Sequence, residues 1–383
     1  MPHTYGYLLG LLLLWASVAT IEGERQFYPL TTNNWPKLLQ QARKGNRQAQ
    51  TRVGLAFETG EVVTKDFVQA ALWFSKAAKR GDPIAEHNLA VMYYCGMGMR
   101  RDPVEAAKWF GKAAAAGLPQ AQFNAAQFYE FGIGVPQNLG KALHLYRDAA
   151  QRGYAPAQNN LGRMYEKGAG VTPDIAMAIE WFTKSARQGH APGQFNLGVL
   201  YWHGSGVPQD FARAAEWFSL AAKQGYAKAQ TALADLCRMG LGVPKDDEKA
   251  VMWLRKAAEQ GEPIAENKLG ISYLNGQGVA RDDLLAAAWF AKAAEQNNRD
   301  AQANLASLYR VGRGVARDLN RAYVWRLLSL QGVAPMPAAD LQELASAMSQ
   351  DEVVDAERQV SEWMAAHRPA QLLDLQVSPL PVP

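Results

Sequence analysis

Few side chains in this sequence stand where their types and spacing could do chemistry. The run from Gly134 to Gly140-Lys141 has the outline of a phosphate-cradling loop. Five residues separate its glycines where four are needed, and Ala142 follows where a Ser or Thr must hold Mg²⁺. Glu130 and Glu166 could form an acid/base pair, yet they lie 36 residues apart, at the same place in two copies of a repeat. A solvated helix face is the simpler reading of them. No H-E-x-x-H occurs, and His3, His87, His144, His190, His203 and His367 are scattered without ligand spacing. Nor is there the S-x-x-K, S-D-N and K-T-G set of a serine acyl-enzyme. Cys95 and Cys237 are too few for a disulfide scaffold or a four-thiolate zinc centre. The expectation is a protein with no catalytic residues, no metal and no cofactor.

Composition narrows the field in the same direction. The chain of 383 residues is 48% hydrophobic and 20% charged, which suits a folded protein rather than a disordered one. Its 40 basic and 36 acidic residues leave a formal charge of +4, too little to point to nucleic acid. Residues 1–21 carry no Lys, Arg, Asp or Glu, and the apolar run Tyr7–Ala16 has the length of a signal-peptide core. Ser17 and Ala19 supply small residues at signal-peptidase spacing, although no Lys or Arg precedes the apolar run. The run is short for a membrane span. We therefore expect residues 1–20 to be a signal peptide and the mature protein to be exported, periplasmic or secreted in a bacterium. Membrane contact is expected only if that segment stays uncleaved.

The elements that position everything else follow one lattice. Trp73, Trp109, Trp181, Trp217, Trp253, Trp289 and Trp325 fall on a 36-residue period, with Leu145 in the remaining slot. Eight alanines (Ala70 to Ala322) and eight glycines (Gly60 to Gly312) obey the same period without exception. Each unit reads as two helices. Helix A carries a helical apolar stripe such as Ala85, Leu89, Ala90 and Tyr93, the small residue beside Leu allowing close backbone approach. It stops at a Gly-x-Gly turn. Helix B opens at Asp66, Asp102, Asn138, Asp174, Asp210, Asp246, Asp282 or Asp318, residues that cap free backbone N–H groups. It is expected to bury an Ala, Trp and Ala stripe, for example Ala106, Trp109 and Ala113. It ends at a Gly, replaced in one repeat by Asn297, the next best residue for left-handed backbone.

A lone helical hairpin cannot bury its apolar face, so the hairpins must stack. The expected fold is all-α: a right-handed α-solenoid of eight 36-residue helix-turn-helix repeats over residues 49–332. Residues 21–48 supply a linker and an N-terminal capping helix with Trp35, Leu38 and Leu39. Residues 333–367 supply two capping helices. In the second, Ser349 and Glu352 have capping-box spacing, and Val353, Ala356, Val360, Trp363 and Met364 form an apolar face. Residues 368–383 read as a disordered Pro-rich tail. Cys95 and Cys237 lie four repeats apart, beyond the reach of a bridge within one chain. Cys237 fills a Tyr slot of helix A and is expected to be a buried thiol, leaving Cys95 for a bond between chains. Helical caps at both ends argue against end-to-end polymerisation.

The segments A-E-H-N-L-A-V-M-Y-Y-C-G-M-G and D-P-V-E-A-A-K-W-F-G-K-A-A resemble the Sel-1-like repeat, a relative of the tetratricopeptide repeats. The resemblance covers about three quarters of the chain. It implies a non-enzymatic α-solenoid that binds other proteins and is commonly exported. A cysteine-rich branch associated with β-lactam binding has two cysteines per repeat, a pattern absent here.

With the core stripe assigned, a second face of helix A varies between repeats at i, i+4 and i+7, and in the related arrays helix A lines the concave groove. Tyr94, Phe123, Glu130, Arg163, Glu166, Phe195, Trp202 and Arg238 on this face are the expected partner-binding residues, because aromatics and Arg dominate interface hot spots. The partner would be a protein or peptide. Packing of these aromatics against the next repeat is the plainer alternative. A carbohydrate-binding module, with Phe123, Phe195 and Trp202 stacking on sugar rings, is a further one, and an enzyme of unknown class another. An asparagine row (Asn88, Asn124, Asn160, Asn196, Asn304) could hold a peptide backbone, but bonds between helices explain it better.

Overall fold

The computed structural model describes residues 30–331 and 339–367. The expected signal peptide at 1–20 and the tail at 368–383 lie outside the described residues. Among the described residues there are 19 helices and no strand. The chain is an α-solenoid in plan: each repeat is a helix A and helix B hairpin, from Arg47–Thr59 with Phe67–Ala78 to Arg299–Val311 with Leu319–Ser329. The described helices divide between two compact units that separate after Trp181. Within each unit, successive helices pack in chain order.

Local chemistry sets these boundaries. Every expected helix B cap is made: Asp102 Oδ1 accepts from the N–H groups of Val104 and Glu105 at 3.0 Å, and Asp246 Oδ1 accepts from that of Lys249 at 2.8 Å. Helix A ends where a glycine turns left-handed, as at Gly240 with φ +70°. The second glycine of that turn has a different task. A Cβ at Gly242 would run into the Phe211 carbonyl at the start of the preceding helix B. After helix B the chain turns at Gly81, Gly117 and their equivalents, and at Asn297 with φ +63°.

The expected stripe is buried, but its tryptophan is not its deepest residue. Ala106 and Ala113 are fully buried as expected, and Trp73, Trp181 and Trp253 are buried, whereas Trp109, Trp217, Trp289 and Trp325 are half-buried. The deep position is the next residue in each repeat: Phe74, Phe110, Tyr146, Phe182, Phe218 and Phe290 are all fully buried. Trp is large and is rarely fully buried even where most of it is covered, whereas the smaller Phe has no polar atom to satisfy. The small residue of helix A makes room for this ring rather than for a second backbone. A Cβ at Gly198 or Gly270 would lie 2.6 or 2.7 Å from Phe218 or Phe290.

Both ends are covered. Helix Trp35–Arg43 buries Leu38 and Ala42 against Val53 and Trp73 of the first repeat. At the other end, helices Ala339–Ser346 and Gln350–Ala366 cover Tyr323, Val324 and Leu328 of the last helix B. The Ser349–Glu352 capping box forms. Ala356 and Val360 are buried, and Val353 and Trp363 are half-buried. Met364, expected on that apolar face, is instead 40% exposed. In the last repeat Arg326 takes the deep Phe position and pairs with Asp340 at 2.6 Å.

Candidate functional site

Helix A presents its variable face through three positions per repeat, and the structure treats them differently. The first, at i, is mostly internal. Thr51, His87, Asn159, Thr231 and Asn267 are buried, and Phe123 and Phe195 are half-buried. Phe123 lies 5.7 Å from Tyr146 and 5.4 Å from Tyr154, and Phe195 repeats this against Phe218 and Tyr226 at 5.6 and 5.4 Å. Each phenylalanine thus joins its own helix B to the start of the next repeat. His87 packs edge-on against Phe110 at 5.4 Å, with neither ring nitrogen hydrogen-bonded, and burial pushes its pKa down to about 4.

The i+7 position opens along the chain. In the first unit, Glu58 and Tyr94 are buried, Glu130 is half-buried and Glu166 is exposed. Tyr94 packs on Phe128 of the next repeat at 5.3 Å, and Arg101 lies over its ring at 5.5 Å. The Tyr146 hydroxyl donates to Glu130 Oε2 at 2.6 Å and accepts from Asn160 Nδ2 at 3.1 Å. Glu130 is therefore committed to a hydroxyl that the sequence places in a position held by phenylalanine in five of the eight repeats, not to a solvated face. Burial, aided by Glu130, holds the Tyr146 hydroxyl well above the usual phenol range, and half-buried Arg163 opposes this. Glu58 occupies the same slot in repeat 1, where helix B offers Phe74 instead of a tyrosine. Its Oε2 has no hydrogen-bond partner, and burial pushes its pKa up to about 7 against the pull of Lys65.

In the second unit, Trp202, Arg238 and Leu274 are half-buried at i+7 and Arg310 is exposed. Trp202 leans on Phe211 and Phe218 at 6.2 and 5.9 Å. Arg238 meets Asp235 at 3.4 Å, and Asp235 also pairs with Lys268 of the next repeat. Arg310 faces Glu343 at 3.6 Å. The i+4 positions Val199, Asp235 and Ile271 are half-buried and Ser307 is exposed, whereas Leu55, Val91 and Gln127 of repeats 1–3 are buried. Of the expected site residues, Tyr94 is buried, Phe123, Glu130, Arg163, Phe195, Trp202 and Arg238 are half-buried, and Glu166 is exposed. Leu274 and Arg310 share the i+7 position of Trp202 and Arg238, a signal the period already carried.

Other candidates resolve simply. Of the asparagine row, Asn88 and Asn124 are buried, and Asn304 donates to Asn267 Oδ1 at 2.9 Å. Both cysteines are free; Cys237 is buried, and burial pushes the half-buried Cys95 thiol up to about 11, away from the reactive thiolate. Among the described residues, no three His, Cys, Asp or Glu side chains gather to hold a metal ion. No described helix is long and apolar enough to cross a membrane. An open cavity of about 520 Å³ lies beside Tyr129, Gly140, Lys141, His144 and Leu145, where Leu145 replaces the lattice Trp. Its glycine and lysine are those of the phosphate-loop look-alike, here on a helix B that follows another helix.

Comparison with known proteins agrees with this architecture. The Sel1 repeat model matches eight times in register, at residues 47–82, 83–118, 119–154, 155–190, 191–226, 227–262, 263–298 and 299–325. Among solved structures, the chain is similar to a protective antigen of uropathogenic Escherichia coli with an SLR fold. They share 33% identity at a TM-score of 0.74, over 89% of this chain and 74% of that one. It is also similar to a Sel1 repeat protein from Oxalobacter formigenes, at 33% identity and a TM-score of 0.62, over 83% of this chain and 92% of that one. No curated protein matches it. Eight phased repeats spanning most of the sequence, built as capped helical hairpins, make this chain a member of the Sel1 repeat family.

Proposed function

We propose that this chain is an exported, non-enzymatic scaffold that holds a protein or peptide on the first helices of its repeats. Sel1 repeat proteins are generally protein-interaction scaffolds. The observation that carries the reading is the run of Trp202, Arg238, Leu274 and Arg310. These four side chains stand at one lattice position of four consecutive A helices in one unit, all at least partly open to solvent. Aromatic and Arg side chains on a rigid array are strong anchors for a partner. The Glu343 carboxylate that meets Arg310 is a surface partner worth about 0–1 kcal/mol, so an acidic group on a partner can replace it, and Arg238 shares Asp235 with Lys268. A carbohydrate platform is less well supported, because its three aromatics, Phe123, Phe195 and Trp202, each pack against two rings of this chain.

Charge reversal tests the surface without touching the core. Affinity capture from the native envelope fraction should recover a partner with the wild type and lose it with an Arg238→Glu/Arg310→Glu double variant of unchanged circular dichroism. Equal recovery by both moves the site elsewhere. Export is supported by residues 1–20 alone. N-terminal sequencing of the protein from that fraction should find a start near residue 20, and an intact Met1 contradicts cleavage.

A further inference from the structure

The junctions between repeats share a side-chain clamp. In helix A, Gln50, Gln122, Gln158, Gln194, Gln230 and Gln302 occupy one lattice position. Each amide nitrogen donates to a carbonyl in the last turn of the preceding helix, eight residues back: Ala42, Ala114, Ala150, Ala186, Ala222 and Ala294, at 3.0 to 3.4 Å. The amide oxygen can be used as well. Gln194 and Gln230 accept from Gln224 and Gln260 at the end of their own helix B, at 2.8 and 2.9 Å.

Two junctions depart from this pattern, and they depart together. Their sequences are Gly81-Asp82-Pro83-Ile84-Ala85-Glu86 and Gly261-Glu262-Pro263-Ile264-Ala265-Glu266. Glu replaces the clamping Gln, and an acidic residue caps the same helix, with Asp82 and Glu262 accepting from the N–H groups of Ala85 and Ala265. The preceding helices, Phe67–Ala78 and Asp247–Ala258, are 12 residues long, where those of repeats 2, 3, 4, 5 and 7 have 13. Both glutamates are buried. Gln296 donates to Glu266 Oε2 at 2.7 Å, as Gln224 and Gln260 do to their glutamines, so by lattice position the other carboxyl oxygen corresponds to the amide nitrogen; Ala116 takes the place of Gln296 beside Glu86. An amide nitrogen donates there at any pH. A carboxyl oxygen donates to the carbonyl only when protonated, and when ionised it sets like charge against that carbonyl and the acidic cap.

We propose that Glu86 and Glu266 are proton-dependent clamps, closing the junctions of repeats 1–2 and 6–7 when protonated and loosening them when ionised. Asp82 and Glu262 oppose ionisation, and Lys112 and Lys292 favour it from helix B of the same repeat, where each lies over its own tryptophan at 3.9 and 4.1 Å. On the preceding helices, Lys76 and Lys256 are likewise stacked on Trp73 and Trp253, and Arg255 donates to the Tyr273 hydroxyl. Lys79 and Glu259 cap those helices at the surface. Burial dominates: it raises the Glu86 carboxyl and pushes that of Glu266 up to about 7. A folded pKa above the unfolded one means the clamp is fully present at acid pH and is lost as pH rises through the folded value.

Amide hydrogen exchange on the full chain at pH 5 and pH 8, corrected for intrinsic rates, tests this. At pH 8, Glu266→Gln should slow exchange across residues 255–268 by about tenfold relative to wild type, and Glu86→Gln should slow it across 75–88. At pH 5 wild type and Glu266→Gln should agree, and the Glu86→Gln difference should be smaller than at pH 8. Gln230→Glu should transplant the pH dependence to residues 219–232. Equal exchange in wild type and the Gln variants at pH 8, the same difference at both pH values, or an inert Gln230→Glu overturns the proposal.

Discussion

Tyr146 and Glu58 show how one atom decides what a repeat position does. The hydroxyl of Tyr146 is fully buried, yet Glu130 and Asn160 satisfy it. Tyr146→Phe should therefore cost about 1–3 kcal/mol in urea unfolding, because it strands a carboxylate oxygen and an amide while preserving the ring. Glu58 stands in Glu130's slot with Phe74 opposite, and its folded pKa of about 7 exceeds the ordinary 4.5. Its contribution to stability is thus greatest below pH 4.5, is lost as pH rises to about 7, and is constant beyond. Glu58→Gln should stabilise the protein by up to about 3 kcal/mol at pH 8 and by almost nothing at pH 4. Equal gains at both pH values would contradict this assignment. Neither residue's role was legible in the sequence, since hydroxyl and carboxylate meet across 16 positions only after helices A and B fold together.

At the scale of the element, the punctuation was legible and the depth of burial was not. Caps, glycine turns and the left-handed Asn297 follow from backbone sterics and orphan N–H groups, which act within a few residues. Which of Trp and the following Phe goes deepest depends on the neighbouring helix, and so does the task of each glycine. Gly261 and Gly242 both have positive φ, but a Cβ at Gly261 meets nothing within 4 Å, whereas at Gly242 it meets the Phe211 backbone. Gly261→Ala should cost about 1–2 kcal/mol, the left-handed penalty alone. Gly242→Ala should cost clearly more, because a helix start must move. Denaturant midpoints of the two variants check the order, and equal costs would show that the second glycine serves conformation only.

For the molecule as a whole, a repeat array has nearest-neighbour stability, so its ends matter as much as its middle. The eight repeats were readable from the period, their family from the resemblance of the repeat segments, and the capping helices from their apolar faces. What the period did not reveal is that the variable face of helix A is wholly buried in repeats 1 and 2 and at least partly open in each of repeats 3–8. Every repeat has the same slots, and only packing decides which of them reach solvent. The proposed binding surface takes its anchors from repeats 5–8. The most direct measurement is site-specific photocrosslinking in the native envelope fraction from position 238 on helix A and, as a control, from Leu284 on helix B, which is 72% exposed. A single polypeptide crosslinked from 238 and absent from 284 is the predicted result. Crosslinking from 284 and none from 238 would contradict binding along helix A.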